Sequence, residues 1–393
     1  MLKGENIIIF SSGDWKTGPS SSQHISINFA QYNKVLFIET FGSRRPSLNL
    51  EDTKRIAHRV MNWFKGIKKQ DIEGGQLYIY SPIALMANIR PFLFIEKFMF
   101  SAMVKHLTKK LDMKNPILYF YLPPPAGIIG NLGEKFIIYH CVDEWLTFPG
   151  GKNKAFMDAE RRLIEKADLF LAANESLYIK NKPYAKRIHR IYHGVEYDHF
   201  AKQFSSDTPL PEDIKNIPKP IIAVIGNFAD WMDLDLIKSI AQSHKDWSIV
   251  SIGPIDSNVC IKKLTDMGNV YFLGQKPYAR LPGYYRAIDV FIIPFLLNEH
   301  IKYCAPTRFY EHLSSGKPII STDFPAVREI GDGLIDIALD KEDFLKKIET
   351  ALNEMDISLA EKRKALARKN TWRSRVEEIS AIIEEIMNKK CTT

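Results

Sequence analysis

The chain has 393 residues, 45% hydrophobic and 25% charged, which suits two α/β domains with real cores and excludes a disordered, collagenous or disulfide-stapled chain. The net charge of +8 is unevenly placed: residues 1–200 carry 28 Lys+Arg and 19 Asp+Glu (+9), residues 201–393 carry 26 and 27 (−1). A basic half suits an anionic surface, either nucleic acid or membrane, with drift in surface composition as the bland alternative.

In chain order, short apolar runs predict strands at 6–10, 34–39, 76–80, 117–121, 136–140, 169–173 and 190–193. Helical patterns fit at 22–32, 92–111 and 153–167. The runs are β-branched and aromatic without alternation, as in parallel strands buried on both faces. A polar, proline-rich stretch at 194–220 reads as a linker. A second series then places strands at 221–226, 247–253, 270–273, 289–295, 318–322 and 334–338. Its helices fit at 233–244, 258–267, 278–287, 306–315, 341–354 and 358–370, and an amphipathic segment at 372–389 ends the chain. Two doubly wound α/β domains place ligands at the carboxyl ends of their strands.

The cysteines, Cys141, Cys260, Cys304 and Cys391, show neither zinc nor disulfide spacing, in keeping with a reducing cytoplasm. The apolar run at the N-terminus is too short for a signal peptide, and no apolar stretch reaches a bilayer-spanning length.

Five motifs carry chemistry. Gly13-Asp14-Trp15 and Ser20-Ser21-Ser22 follow the first strand and suit a loop around a polar ligand; a plain loop with a Ser helix cap is the alternative. His140, Asp143 and Glu144 end a strand, where an acid serves as general base or Asp143 as a helix cap. Gly226-Asn227 follows a strand in a turn that lets a phosphate approach the backbone, without the spacing of an NAD or P-loop fingerprint. Asp233-Leu234-Asp235 formally matches the DxD of metal-dependent sugar transferases but reads as the first turn of a helix. Pro306 marks a helix start, so Arg308 falls in the first turn, where the helix dipole disfavours a cation unless an anion such as a diphosphate binds. Glu311 shares that face and suits ribose hydroxyls; a surface i, i+3 ion pair is the alternative.

Together these segments resemble a GT-B glycosyltransferase, similar to the family 4-like enzymes of bacterial surface-polysaccharide assembly. The resemblance runs through Ser11–Trp15 and Pro19–Ser21, Val35–Thr40, Tyr139–Trp145, His193–Val195, Phe272–Tyr278, Ile293–Phe295, Pro306–Pro318 and Ser321-Thr322. The first-strand loop and the Asp143 region also resemble the xanthan-type glucuronosyltransferase, whose matching Asp is the catalytic base. The resemblance implies two Rossmann-like domains facing across a cleft. Residues 1–200, joined by 372–393, would bind a glycan or lipid-linked acceptor, and 201–371 a nucleotide-diphosphate sugar, UDP-sugar favoured. Transfer would need neither metal nor cofactor. Asp143 would be the base; Gly226, Asn227, Lys276, Tyr278, Tyr303, Thr307, Arg308 and Glu311 would hold the donor; Gly13, Asp14, Trp15, Ser20, Ser21 and Glu144 would hold the acceptor.

Two departures stand out. Family 4 enzymes usually carry a second Glu eight positions earlier, where this chain has Tyr303. The Arg and Lys that many members place after the first strand of the second domain are missing from 227–235, leaving the diphosphate to Arg308, the helix start and Lys276. Retention or inversion is therefore open.

Lys54, Arg55, Arg59, Lys65, Lys68 and Lys69 surround Trp63 and Phe64, and Arg90, Lys97, Lys105, Lys109 and Lys110 accompany Phe92, Phe94, Phe98 and Phe100. Such mixtures suit a peripheral face on an anionic membrane at the cytoplasmic leaflet; a core helix with a solvated basic side is the alternative. A non-catalytic cytoplasmic sugar- or nucleotide-binding protein is the competing class. No nucleic-acid motif is present.

Overall fold

The computed structural model describes residues 1–15, 18–40, 66–72, 74–82, 93–148, 153–331 and 333–391, with backbone alone for 93–97 and 390–391. They form two compact units, Met1–Tyr192 with Trp372–Thr393, and His193–Thr371.

The first unit holds β1 (Asn6–Phe10), β2 (Lys34–Ile38), β3 (Lys68–Gln70), β4 (Gln76–Tyr80), β5 (Ile117–Phe120), β6 (Phe136–Cys141), β7 (Leu169–Ala172) and β8 (Ile188–Arg190), ordered β3-β4-β2-β1-β5-β6-β7-β8. All pairs are parallel except β3 on β4. Ile7, Ile8, Ile9, Leu118, Tyr119, Phe136 and Leu169 are buried, as strands covered on both faces require. Strand order turns back between β1 and β5, so the loops after β1, β5 and β6 share the carboxyl edge of the sheet. The helix Trp372–Cys391 lies against the helix Ser21–Ala30, stacking Trp372 on His24 at 4.9 Å and burying Val376, Ile379 and Ile383.

The second unit holds β9 (Ile221–Ile225), β10 (Ser248–Ile252), β11 (Val270–Gly274), β12 (Val290–Ile293), β13 (Ile319–Thr322) and β14 (Asp336–Ala338). Their order β11-β10-β9-β12-β13-β14 is the doubly wound arrangement, all parallel, with its switch point between β9 and β12. Ile222, Val224, Leu236, Ile240, Val290 and Ile292 share one core.

Several expectations shift. The second unit begins at His193 rather than 201, because the expected linker folds into it: Phe200, on the helix Tyr197–Ala201, is buried with its ring 5.7 Å from Tyr278 and 4.8 Å from Tyr285. The strand placed at 190–193 lies at Ile188–Arg190. Of the pattern 258–267 only Lys262–Thr265 is helical. Strand β3, Lys-Lys-Gln, escaped notice because an edge strand needs no apolar run. Among the described residues no helix is long and apolar enough to cross a membrane.

Candidate functional site

In the first unit the loop after β1 is shaped by buried side chains that bind its backbone. Glu39, at the end of β2, accepts the Trp15 N–H at 2.7 Å with one carboxylate oxygen and the Ser81 hydroxyl with the other. Gln23 accepts the Ser20 N–H at 3.0 Å and donates to the carbonyls of Trp15 (2.8 Å) and Asp14 (3.2 Å). Ser22 Oγ lies 2.9 Å from Ser11 Oγ and 3.0 Å from Ser20 Oγ, and the Gly13 N–H donates to Ser11 Oγ at 3.0 Å. Ser20 is the N-cap of the helix Ser21–Ala30, Ser21 is buried beside Tyr121, and Trp15 packs edge-on against Phe37. Ser20 thus stands at the helix start, and the Ser21 hydroxyl faces Tyr121. Neither Glu39 nor Gln23 stands out in sequence, since isolated polar residues at a strand end or in a helix carry no pattern.

The strand β6 delivers His140, Asp143 and Glu144, and the structure separates them. His140 is buried, with Nδ1 2.8 Å from the Tyr119 hydroxyl. Glu144, rather than Asp143, caps the turn Trp145–Thr147, accepting the Leu146 N–H at 3.3 Å, and it pairs with Lys180. Asp143 has no hydrogen-bond partner for its carboxylate among the described residues, and burial pushes its pKa up to about 7. A carboxyl poised there is matched to taking a proton near neutral pH. From β6 itself the Tyr139 hydroxyl donates to Glu160 at 2.9 Å, and burial raises the Glu160 pKa.

In the second unit the strand ends interlock through glycines. Gly226 (φ 145°) donates its N–H to Ile252 O at 3.0 Å, and Gly253 (φ 153°) donates to Gly274 O at 3.1 Å. A Cβ on Gly253 would stand 1.7 Å from Gly226 O, and one on Gly226 would stand 3.8 Å from Arg308 Nε. Arg308 is thus brought against the turn that leaves β9. It pairs with Glu311 at 2.6 Å, and Glu311 accepts from the Tyr285 hydroxyl at 3.4 Å. Burial works against the Arg308 charge, but Glu311 together with Tyr285 and Tyr278 holds the guanidinium above its ordinary range. The i, i+3 pair is real, yet it lies at the switch point, with Glu311 only 12% exposed, rather than on a solvated face. His312, missed as a site residue though it sits in the quoted run, lies 3.0 Å from the Tyr285 hydroxyl; burial lowers its pKa to about 3 and keeps it neutral.

The remaining expected donor residues diverge. The helix begins at Arg308, two residues later than Pro306 suggests; Thr307 precedes it, exposed and without a side-chain cap. Tyr303 is half-buried with the Lys302 ammonium 5.5 Å from its ring. Asn227 Oδ1, beside Gly226 in sequence, is buried and has no hydrogen-bond partner among the described residues. Lys276 forms an ion pair with Asp213 at 2.6 Å and lies over Tyr284, which ties it to other groups than Arg308. Tyr278 stacks on His199 at 4.5 Å, and burial raises its pKa, reinforced by Glu311 and Glu196. Asp233 caps the helix Leu234–Ser243 by accepting the Leu236 N–H, as its DxD-like setting was read. Among the described residues no cluster of His, Cys, Asp or Glu suits a metal ion.

Two parallel-sheet Rossmann-like units of this kind define a GT-B fold, the fold of glycosyltransferases. Residues 219–354 match the family model described as glycosyl transferases group 1. The chain is 26% identical over 255 residues to the Bacillus subtilis (strain 168) protein named "Putative teichuronic acid biosynthesis glycosyltransferase TuaH", a match over 60% of this chain and 64% of that protein. Among solved structures, sucrose-phosphate synthase from Thermosynechococcus elongatus superposes with a TM-score of 0.68 at 14% identity, covering 98% and 100% of the two chains. The E. coli trehalose-6-phosphate structure bound with UDP-2-fluoro glucose gives 0.67 at 14%, covering 98% and 99%. HepE of Anabaena, in complex with UDP and glucose, gives 0.67 at 12%, covering 97% and 100%.

Proposed function

We propose that this chain is a glycosyltransferase that moves a sugar from a nucleotide-diphosphate donor, UDP-sugar favoured, to a glycan or lipid-linked acceptor in bacterial surface-polysaccharide synthesis. The observation that carries the reading is Arg308 lodged against the Gly226 turn at the switch point of the segment that matches group 1 glycosyltransferases. A guanidinium beside a side-chain-free turn is suited to a diphosphate, whose charge grows as the sugar leaves. Glu311 would orient the guanidinium or take ribose hydroxyls. Asp143 would remove the acceptor hydroxyl's proton if the reaction inverts. The reaction would need no metal, the phosphate charge being met by Arg308. The similarity to TuaH and the UDP-bound structural neighbours favour a UDP-sugar and a surface polymer.

Trp63, Phe64, Phe92 and the basic residues 54–65 and Arg90 lie outside the described residues, as do the side chains of Phe94 and Lys97. The described remainder of the 93–110 helix exposes Phe98 (70%) beside exposed Lys105, Lys109 and Lys110, a pairing suited to an anionic bilayer surface.

Calorimetric titration with UDP-, GDP- and other nucleotide-sugars tests the donor site. Binding of one of them is expected, weakened by about 1.5–3 kcal/mol in Arg308→Ala, the scale of a charged hydrogen bond. Full binding by Arg308→Ala would remove the diphosphate assignment. Slow hydrolysis of the bound donor without acceptor separates an enzyme from a pure binding protein.

A further inference from the structure

The two loops that leave the switch point of the second unit are locked together. Met232 bridges Phe295 in antiparallel fashion, the Asp233 N–H donates to Pro294 O at 2.8 Å, and the Leu296 N–H donates to Trp231 O at 2.8 Å. The lock sets the Trp231 ring 5.3 Å from the His300 ring, tilted by 35°. Trp231 packs on the core through part of its surface and is half-buried; His300 is also half-buried. The loop bearing Trp231 starts at Gly226. The segment bearing His300 continues to Arg308, whose side chain returns to Gly226. The aromatic pair therefore stands on the same two segments as the groups assigned to the diphosphate.

A hexopyranose is two-sided, with a C–H face and a rim of hydroxyls. An indole offers a large apolar face at low conformational cost, and a neutral imidazole both donates and accepts hydrogen bonds. Burial lowers the His300 pKa, which keeps the ring neutral near pH 7. The 227–235 stretch, which leaves the phosphate to Arg308, has no Lys or Arg and holds Trp231.

We propose that Trp231 and His300 form the shelf that receives the hexopyranose of the nucleotide-sugar: the indole covers its C–H face and the imidazole takes a hydroxyl. The shelf is a specificity determinant for the sugar, separate from the diphosphate contact, and it rests on the donor-site reading of Arg308.

The test is isothermal titration of the full chain with UDP, UDP-glucose, UDP-N-acetylglucosamine, UDP-glucuronate, GDP and GDP-mannose. The quantity read is the affinity of each nucleotide-sugar relative to its parent diphosphate. For the sugar bound best by the wild type, Trp231→Ala should lower this ratio about five- to tenfold, with diphosphate affinity held within about twofold. Trp231→Phe, which keeps a ring, should retain most of the ratio, and His300→Ala should lower it. An unchanged ratio in Trp231→Ala overturns the shelf. So does an equal loss for sugar and parent diphosphate, which marks Trp231 as a support of the loop lock alone. If Trp231→Ala fails to melt cooperatively, His300→Ala decides, and an unchanged ratio there overturns the proposal. A wild-type chain that binds neither UDP nor GDP refutes the donor site itself, and the shelf with it, before any variant is compared.

Discussion

Asp143 and Glu144 are chemically alike and adjacent, yet their surroundings give them opposite roles. Glu144 is engaged by Lys180 and the Leu146 N–H, whereas the Asp143 carboxylate has no hydrogen-bond partner among the described residues and is pushed up to about 7 by burial. A raised carboxyl pKa fixes the sign of its effect on stability. Between about pH 4 and 7 the folded chain holds a proton that the unfolded chain releases, so this group's contribution favours folding at low pH and is lost as pH rises towards 7. Asp143→Asn removes the charge at no cost in volume. The variant should melt higher than the wild type at pH 8 and nearly level with it at pH 4.5, while donor-to-acceptor transfer disappears. A variant that melts level at both pH values would show that the carboxylate is solvated after all; retained turnover would remove Asp143 from the chemistry. Sequence alone presented an acid pair with a histidine nearby. Which acid is engaged depends on Lys180, 36 residues beyond Glu144 and invisible in the local pattern.

Elements were more legible than sites, for a physical reason. A strand buried on both faces must be continuously apolar, so β1, β5, β9 and β12 announce themselves in Ile7–Phe10, Ile117–Phe120, Ile221–Ile225 and Val290–Ile293. An element held by edge pairing carries no such mark, and β3 is unmarked for that reason. The glycine interlock is intermediate: Gly226 reads as a turn, but the need for Gly253 follows only from the carbonyl of Gly226 that lies where its Cβ would go. Gly253→Ala should consequently be among the more damaging small substitutions in the second unit. It combines a φ of 153° that side chains rarely adopt with a 1.7 Å clash against backbone, which no rotamer relieves. The expected result is a lower melting temperature together with weaker nucleotide binding, because the displaced Gly226 turn is the one that meets Arg308. A Gly253→Ala chain with wild-type melting and binding would mean that the two strand ends part at no cost.

At the scale of the chain, the last helix belongs to the unit built from the first residues. Trp372 stacks on His24, and Val376, Ile379 and Ile383 are buried in that unit, while the second unit ends at Thr371 with a complete six-stranded sheet and its own core. An amphipathic segment at 372–389 is visible in the sequence, but its partner is not, since periodicity gives a face and not what covers it. The division predicts an asymmetric response to truncation. Ending the chain at Thr371 strips the helix Ser21–Ala30 of its cover and removes apolar side chains worth about 1.5–3 kcal/mol each when fully buried. Hydrogen exchange should then quicken in the helix Ser21–Ala30, in β2, which packs against it, and in β1, which pairs with β2, while peptides from β9, β10, β12 and β13 keep their protection. Nucleotide-diphosphate affinity should stay within about threefold of the full chain, because Gly226, Arg308 and Glu311 all belong to the unit that loses nothing. Loss of protection in β9 and β12, or loss of nucleotide binding with the second unit still folded, would show that the last helix supports the donor site, and the two-unit account of stability would fail.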